Sequence, residues 1–209
     1  MADIIVHGLL GSPYVRAVLA TLEEKRLPYR IAQLAPGTSR SPEHLARHPF
    51  GRMPVIEDGD FMLYETQAIL HYLERRAPEP ALAPPDMQAE ARMNQRMGVV
   101  DWYFFQQVSR PIVFARVVAP VFGRPIDDDA VRAALPEAQH CLGVIADLWA
   151  GRSASSPDLS DLMLAPLLGM ALRAPELAEM LKAHPDLTRW LAAFQARPSM
   201  VATKTPFSD

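Results

Sequence analysis

The chain has almost no cysteine. Cys141 is the single thiol among 209 residues, so an internal disulfide is excluded and a reducing compartment, the cytoplasm, is the expected setting. Charge of one sign is also missing: 21 Lys and Arg stand against 24 Asp and Glu, a formal net charge of -3. That balance offers no basic footprint for nucleic acid and no attraction to an anionic membrane surface. No apolar run is long enough to span a bilayer. The most apolar stretch, Pro111 to Gly123, is too short and carries Arg116. The opening residues MADIIVHG lack a basic segment leading into an apolar one, so no secretory signal is expected. Internal repeats and low-complexity segments are absent too. What remains is an ordinary globular composition, 49% hydrophobic and 22% charged, long enough to bury one large core or two small ones.

Proline is abundant, at 20 residues, and it punctuates the chain. APEPALAPPD, from Ala77 to Asp86, cannot be continuous helix and reads as a stiff extended linker. Before it, short β-rich runs alternate with helical patterns. Asp3 to His7 and Tyr29 to Gln33 read as strands, with a helix from Tyr14 to Lys25 between them that places Val15, Val18, Leu19 and Leu22 on one face. Pro42 to Arg47 is a short helix. Val55 to Glu57 and Phe61 to Tyr64 flank Asp58-Gly59, a hairpin signal, and Thr66 to Arg76 is helical. The order βαβαββα implies a small mixed sheet covered by helices. After the linker only helical patterns appear. They start near Asp86, at Asp127-Asp128-Asp129, at Asp158 with Asp161 completing a capping box, and at Pro185, whose helix to Arg197 turns Leu187, Trp190, Leu191 and Phe194 inward. Pro111 and Pro120 are expected to kink or end the long helix, and Pro136 to break or delay the next.

Three motifs could carry chemistry. Gly11-Ser12-Pro13 precedes the first helix. Taken alone, Ser12 is a favoured N-cap and Pro13 a favoured first helical residue. With a ligand present, the same helix start stabilises an anion, and a thiol placed there has a lowered pKa. Ser12 would then donate a hydrogen bond to the sulfur, without acting as a nucleophile. Gly51-Arg52-Met53-Pro54-Val55 opens the hairpin. A cis Pro54 would turn the Met53 backbone outward to pair with a peptide, whereas a trans proline would merely open an edge strand. Glu65-Thr66 starts the third helix. It caps that helix, or it binds an α-amino acid end group, with Glu65 on the ammonium and Thr66 on the carboxylate.

The order of these motifs is more specific than any one of them. GSPYVRAVLATLEEKRLPY (11–29), SPEHLARHPFGRMPVIEDGDFMLYETQAILHYLERR (41–76), and later DWYFFQQ and LSDLMLAPLL resemble the cytosolic glutathione transferases over nearly the whole chain. The serine at the first helix resembles the theta, phi and zeta groups. HPFGRMP looks closest to phi-like and bacterial members.

The resemblance implies a thioredoxin-like domain over 1–77, a linker over 78–85 and an all-α domain over 86–209. It implies glutathione as co-substrate, with Ser12 stabilising its thiolate, Ser39 and Arg40 near its glycine carboxylate, Arg52 near the tripeptide, Met53 on the cysteinyl backbone, Pro54 cis, and Glu65 and Thr66 on the γ-glutamyl end. Thr66 replaces the usual serine, Arg52 a glutamine, and Ser39 stands where phi members often carry histidine. The second partner would be a hydrophobic electrophile in a pocket that includes Tyr14, Tyr103 and Phe114. A homodimer is implied, with Phe50 as a contact. Glutathione-dependent peroxidase, isomerase or dehalogenase chemistry is the alternative on the same site, and a non-catalytic scaffold the alternative without it. The tandem serine of the zeta isomerases is missing from GSPYVR. No metal is expected: His44 and His48 share a spacing, but they lack a third ligand and read as residues of a solvated helix. Cys141 reads as buried and inert. Asp101 reads as a surface carboxylate, or as one reaching a partner's glutathione.

Overall fold

A computed structural model describes residues 3–205. Four strands form one sheet: β1 (Ile4–Gly8), β2 (Tyr29–Gln33), β3 (Val55–Asp58) and β4 (Phe61–Tyr64), in the order β2-β1-β3-β4. β1 and β2 run parallel, while β1–β3 and β3–β4 are antiparallel. The hairpin turns at Gly59-Asp60, one residue later than the sequence suggests. Asp58 still pairs with Phe61, and Gly59 takes the left-handed φ of 62° that the tight turn requires.

Helices α1 (Pro13–Glu24), α2 (Pro42–Arg47) and α3 (Thr66–Arg76) accompany the sheet. α1 buries Val15, Val18, Leu19 and Leu22, the stripe that its periodicity marks. It approaches β1 closely: a Cβ on Gly8 would stand 2.4 Å from Val15 Cγ2. This βαβαββα unit has the thioredoxin-like arrangement, and helices follow it to the end of the described chain.

Those helices are α4 (Met87–Val99), a wider-wound continuation over Val100–Val118, α5 (Ala119–Val121), α6 (Asp128–Leu148), α7 (Leu159–Ala171), α8 (Pro175–Leu181), α9 (Pro185–Gln195) and α10 (Pro198–Ala202). Two prolines do not end or break their helices. Pro111 lies inside the wide helix and does not end it. Proline clashes with the carbonyl four residues back in an α-helix, and a winding with i→i+5 bonds, such as Ala119 N–H to the Phe114 carbonyl, relieves that clash. Pro136 lies inside α6 on an exposed face, where water can take the hydrogen bond it forfeits. The short α8 and α10, and a 3-10 turn over Thr38–Arg40, escape the sequence patterns because they offer too few turns for a period to show.

Every residue of α7 is buried, and it packs against α1, α4 and α9, so it ties the sheet unit to the helical part. Its capping box is formed. Asp158 accepts from Ser160 N–H at 2.9 Å, and Asp161 accepts from Asp158 N–H at 2.9 Å. The two carboxylates are further held by Arg96, Arg152 and Trp149, each within 2.9 Å. Burial raises the Asp161 pKa, and the hydrogen bond from Arg152 opposes that rise. α9 buries Leu187, Trp190, Leu191 and Phe194 as its pattern requires. Cys141 is buried in α6, and desolvation pushes its thiol up to about 12, which makes it inert.

Candidate functional site

Strand register collects the candidate residues. His7, Val55 and Tyr64 form one row across β1, β3 and β4, and His7 also pairs with Ala32 of β2. The chain therefore leaves β1 toward Ser12, arrives at β3 through Met53-Pro54, leaves β4 at Glu65 and leaves β2 toward Ser39-Arg40, all at one end of the sheet. Close contacts tie these segments together. Leu9 N–H donates to Met53 Sδ at 3.2 Å, and Leu34 N–H donates to the Gly8 carbonyl at 2.9 Å. Gly51, at φ 61°, has no room for a side chain: a Cβ there would lie 2.7 Å from the Ser39 carbonyl oxygen. The Ser39-Arg40 turn is thus packed against the segment that carries Arg52 and Met53.

Two helix starts point into this end of the sheet. At α1, Ser12 is extended and half-buried, and its Oγ accepts from Val15 N–H at 3.5 Å, the long limit of a hydrogen bond. So loose a cap leaves the hydroxyl free to donate elsewhere. At α3 no side chain caps the helix at all. Glu65 holds φ 71°, a conformation that costs a non-glycine residue on the order of 1 kcal/mol or more. Thr66 is buried as the first residue of the helix. Uncapped first-turn amides and the positive end of the macrodipole form an anion site. The Met53–Pro54 peptide bond between them is cis.

His44 and His48 are not the solvated pair that their spacing suggests. Both are buried: α2 turns them against the loop, where His44 Nε2 contacts the Arg52 carbonyl at 2.7 Å and the His48 ring lies 4.6 Å from that of Tyr64. Desolvation lowers the His48 pKa, so the ring is neutral near pH 7. His44 braces the Arg52 backbone, and His48 packs between Phe50 and Tyr64. Among the described residues no group of three or more His, Cys, Asp or Glu could hold a metal.

The helical part adds an aromatic wall beside α1. Tyr14 meets Phe105 edge-on at 5.7 Å, Phe105 meets Phe114 edge-on at 6.3 Å, and the Arg52 guanidinium lies 5.9 Å from the Phe105 centroid. Tyr14 Oη donates to Asp101 Oδ1 at 2.9 Å, and Gln67 Nε2 donates to Asp101 Oδ2 at 2.6 Å. Asp101 is therefore not a free surface carboxylate. It joins α1, α3 and the wide helix. Burial raises its pKa, and the Gln67 and Tyr14 hydrogen bonds oppose that rise.

Of the three residues expected to line a substrate pocket, the structure brings Tyr14 and Phe114 together through Phe105 and places Tyr103 elsewhere. Tyr103 lines a surface groove of about 550 Å³ with Gln95, Gly98, Val99 and Trp102. The reason is helical geometry. Asp101 and Phe105 are four residues apart, close to one turn, and share a face, while Tyr103, two residues from Phe105, is about half a turn around the helix. Phe105 and Phe114 would be about two and a half turns apart in an α-helix, on opposite faces. The i→i+5 winding takes more residues per turn and returns Phe114 to the side of Phe105. Phe105 is the wall residue that the sequence reading passes over, and Asp101, read there as a surface carboxylate or a partner contact, is held beside it by Tyr14 and Gln67. The i, i+4 spacing was there to read, whereas the change of winding was not.

A model of the glutathione S-transferase N-terminal domain matches residues 6–81. Glutathione S-transferase 4 of Zea mays is 32% identical to this chain, with 93% of the chain and 88% of that protein covered. The solved glutathione S-transferase I from maize, in complex with an atrazine glutathione conjugate, is 25% identical and superposes with a TM-score of 0.82 over 97% of this chain and 96% of that one. The theta-class glutathione S-transferase of Xanthomonas axonopodis pv. citri, solved with glutathione bound, shares the fold at 24% identity, with a TM-score of 0.81 and 97% of each chain covered. Among the described residues no helix is long and apolar enough to cross a membrane.

Proposed function

The chain belongs to the glutathione S-transferase family, with phi-class and theta-like homologues along nearly its whole length, and from that premise we propose that it joins the glutathione thiolate to electrophilic small molecules. The observation that carries this reading is the convergence of two helix N-termini and the Met53–Pro54 segment at one end of the sheet. That geometry suits an extended tripeptide with an acid at each end and a thiol between them.

Thr66 and the free amides of α3 take the γ-glutamyl carboxylate, and Glu65 takes its ammonium. Met53 pairs with the cysteinyl backbone at the cis Pro54. Arg40, with Ser39 beside it, takes the glycine carboxylate. The sulfur then comes to the start of α1, where Ser12 donates to it. The helix end and the hydroxyl favour the thiolate, and bound proximity to the electrophile supplies the remaining acceleration. The electrophile rests on the Tyr14–Phe105–Phe114 wall. The same reading makes 1–77 the glutathione-binding domain, 78–85 the linker and 86–209 the helical domain. It makes the protein a cytoplasmic homodimer in which Phe50, 67% exposed, is a contact.

Calorimetric titration with glutathione, alongside mass spectrometry of the product formed from glutathione and an aryl halide, tests the reading. Binding with formation of the thioether is expected. Binding without thioether, together with glutathione-dependent peroxide reduction, would move the protein to the peroxidase alternative. Absence of binding would leave only the scaffold.

A further inference from the structure

α1 carries the proposed sulfur site at its start, and its apolar stripe does not by itself fix where that start stands. Val15, Val18, Leu19 and Leu22 are held by burial. Burial is non-directional, so it resists lifting the helix away more than sliding it along its axis. Directional bonds fix the slide, and two sets of them come from residues 195–200, where α9 meets α10. In the first turn of α1, Arg16 N–H donates to the Ser12 carbonyl at 3.0 Å. The buried Arg16 side chain donates to the Met200 carbonyl at 2.8 Å and to Gln195 Oε1 at 3.2 Å. Gln195 in turn donates to the Ala165 carbonyl of α7 at 3.0 Å. At the last residue of α1, about 12 Å further along the axis, Glu24 accepts from Arg197 Nε and Nη2 at 2.8 Å each and from Ser199 Oγ at 2.5 Å. Burial would raise the Glu24 pKa, but the hydrogen bonds from Arg197 and Ser199 prevail and hold its carboxyl below the usual range. Lys25, beside it, donates to the Pro80 carbonyl at 2.6 Å and pairs with Glu74, which ties the same end to the linker and α3.

We propose that the α9–α10 junction is a positioning element for the sulfur site: by gripping α1 at Arg16 and Glu24 it fixes where Ser12 stands. The proposal rests on the transferase reading, which brings the sulfur to the start of α1. The junction acts through the helix and adds no group that touches glutathione. A helix moves as a stiff rod, so a slip at Glu24 is carried to Ser12. The Ser12 hydroxyl must stand within hydrogen-bond reach of the sulfur, and a misplacement of about 1 Å can cost about 100-fold in rate. Both grips are charge-assisted, and the bidentate Arg197–Glu24 pair fixes direction as well as distance. Arg16 is one turn from Ser12, so its loss moves Ser12 most. Arg197 acts at the other end, where Lys25 shares the hold, so its loss moves Ser12 less.

The test titrates the thiol of bound glutathione, through the ultraviolet absorbance of its thiolate, in wild type, Arg16→Gln, Arg197→Met and Arg197→Lys. Calorimetric Kd for glutathione and kcat with an aryl halide are measured beside it. Arg16→Gln is expected to lower both the thiolate fraction at pH 7 and kcat about tenfold, and Arg197→Met about threefold, each with Kd within about twofold of wild type. Arg197→Lys keeps a charge-assisted bond to Glu24 and should restore most of the loss. Arg197→Met leaves the Arg16 charge in place, so a change confined to Arg16→Gln would trace to that charge and overturn the proposal. Lower urea stability with unchanged ionisation in both would overturn it too, because a purely structural clamp gives that result. Where Arg197→Met alone does not fold, Glu24→Gln with Arg197→Met removes both charges, strands neither, and is held to the same expectation. Gln195→Met stands in for Arg16→Gln in the same way. A wild type that binds no glutathione would sink the transferase reading and the proposal together. Wild-type ionisation in variants that bind glutathione would sink the proposal alone.

Discussion

The helix starts at α7 and α3 use similar residues to opposite ends. At α7 the acidic pair Asp158 and Asp161 is spent on the fold: each caps a backbone N–H, and Arg96, Arg152 and Trp149 hold what remains. At α3 the pair Glu65 and Thr66 caps nothing, and Glu65 holds a positive φ. The first is buried and satisfied, and the second is open and strained. Helix stability alone does not explain α3, because a capped start with ordinary backbone angles would be more stable. The difference teaches that a helix N-terminus reveals its role through what it leaves unpaired. α1 stands between the two, capped by Ser12 at 3.5 Å.

The largest effect should come from the satisfied end. Asp161→Ala strips a buried partner from Arg152 and Trp149 and breaks the capping box, so urea unfolding is expected to show a loss of about 3 kcal/mol. Turnover per folded molecule should stay near that of wild type. A variant of full stability would erase the contrast. At α1 the effect should fall on chemistry. Ser12→Ala is expected to lower kcat about 100-fold, the scale of removing one donor from a developing or fixed anion, while changing stability by about 1 kcal/mol or less. A stability loss with unchanged turnover would return Ser12 to the role of a plain cap.

Thr66→Ala sharpens the comparison at α3. The structure gives Thr66 no capping bond to lose, so unfolding should move by less than about 1 kcal/mol, while KM for glutathione rises about tenfold. The smallest effect concerns Asp101, where α1, α3 and the wide helix meet. Burial raises its folded-state pKa. The fold therefore favours the protonated form, and that contribution is full below the unfolded value of about 3.9 and is lost as pH rises through the folded value. Asp101→Asn abolishes this component. The stability of wild type relative to the variant should fall as pH rises through that window and be flat above it. A difference that grows with pH would show the opposite shift.

The sheet unit was nearly all legible in the sequence, because strand runs, Pro42, the Gly59 turn and the Val15–Leu22 stripe each carry a local signal. Ser12, Pro54 and Glu65 were legible as motifs, though only register brings them to one place. The wide helix was not legible. Its change of winding at Val100 leaves no compositional mark, so the meeting of Phe105 with Phe114 does not show in the sequence. His44 and His48 misled for a related reason: a six-residue helix has no periodicity with which to tell buried from exposed, and the contact that buries His44 comes from Arg52, eight residues on.

The most direct test of the account is the ionisation of the bound thiol. Glutathione bound to the wild type, titrated through the ultraviolet absorbance of its thiolate, should ionise below the free cysteine thiol value of about 8.5, and in Ser12→Ala its pKa should return toward that value. Identical titration curves for the two proteins would contradict the claim that the start of α1 activates the sulfur.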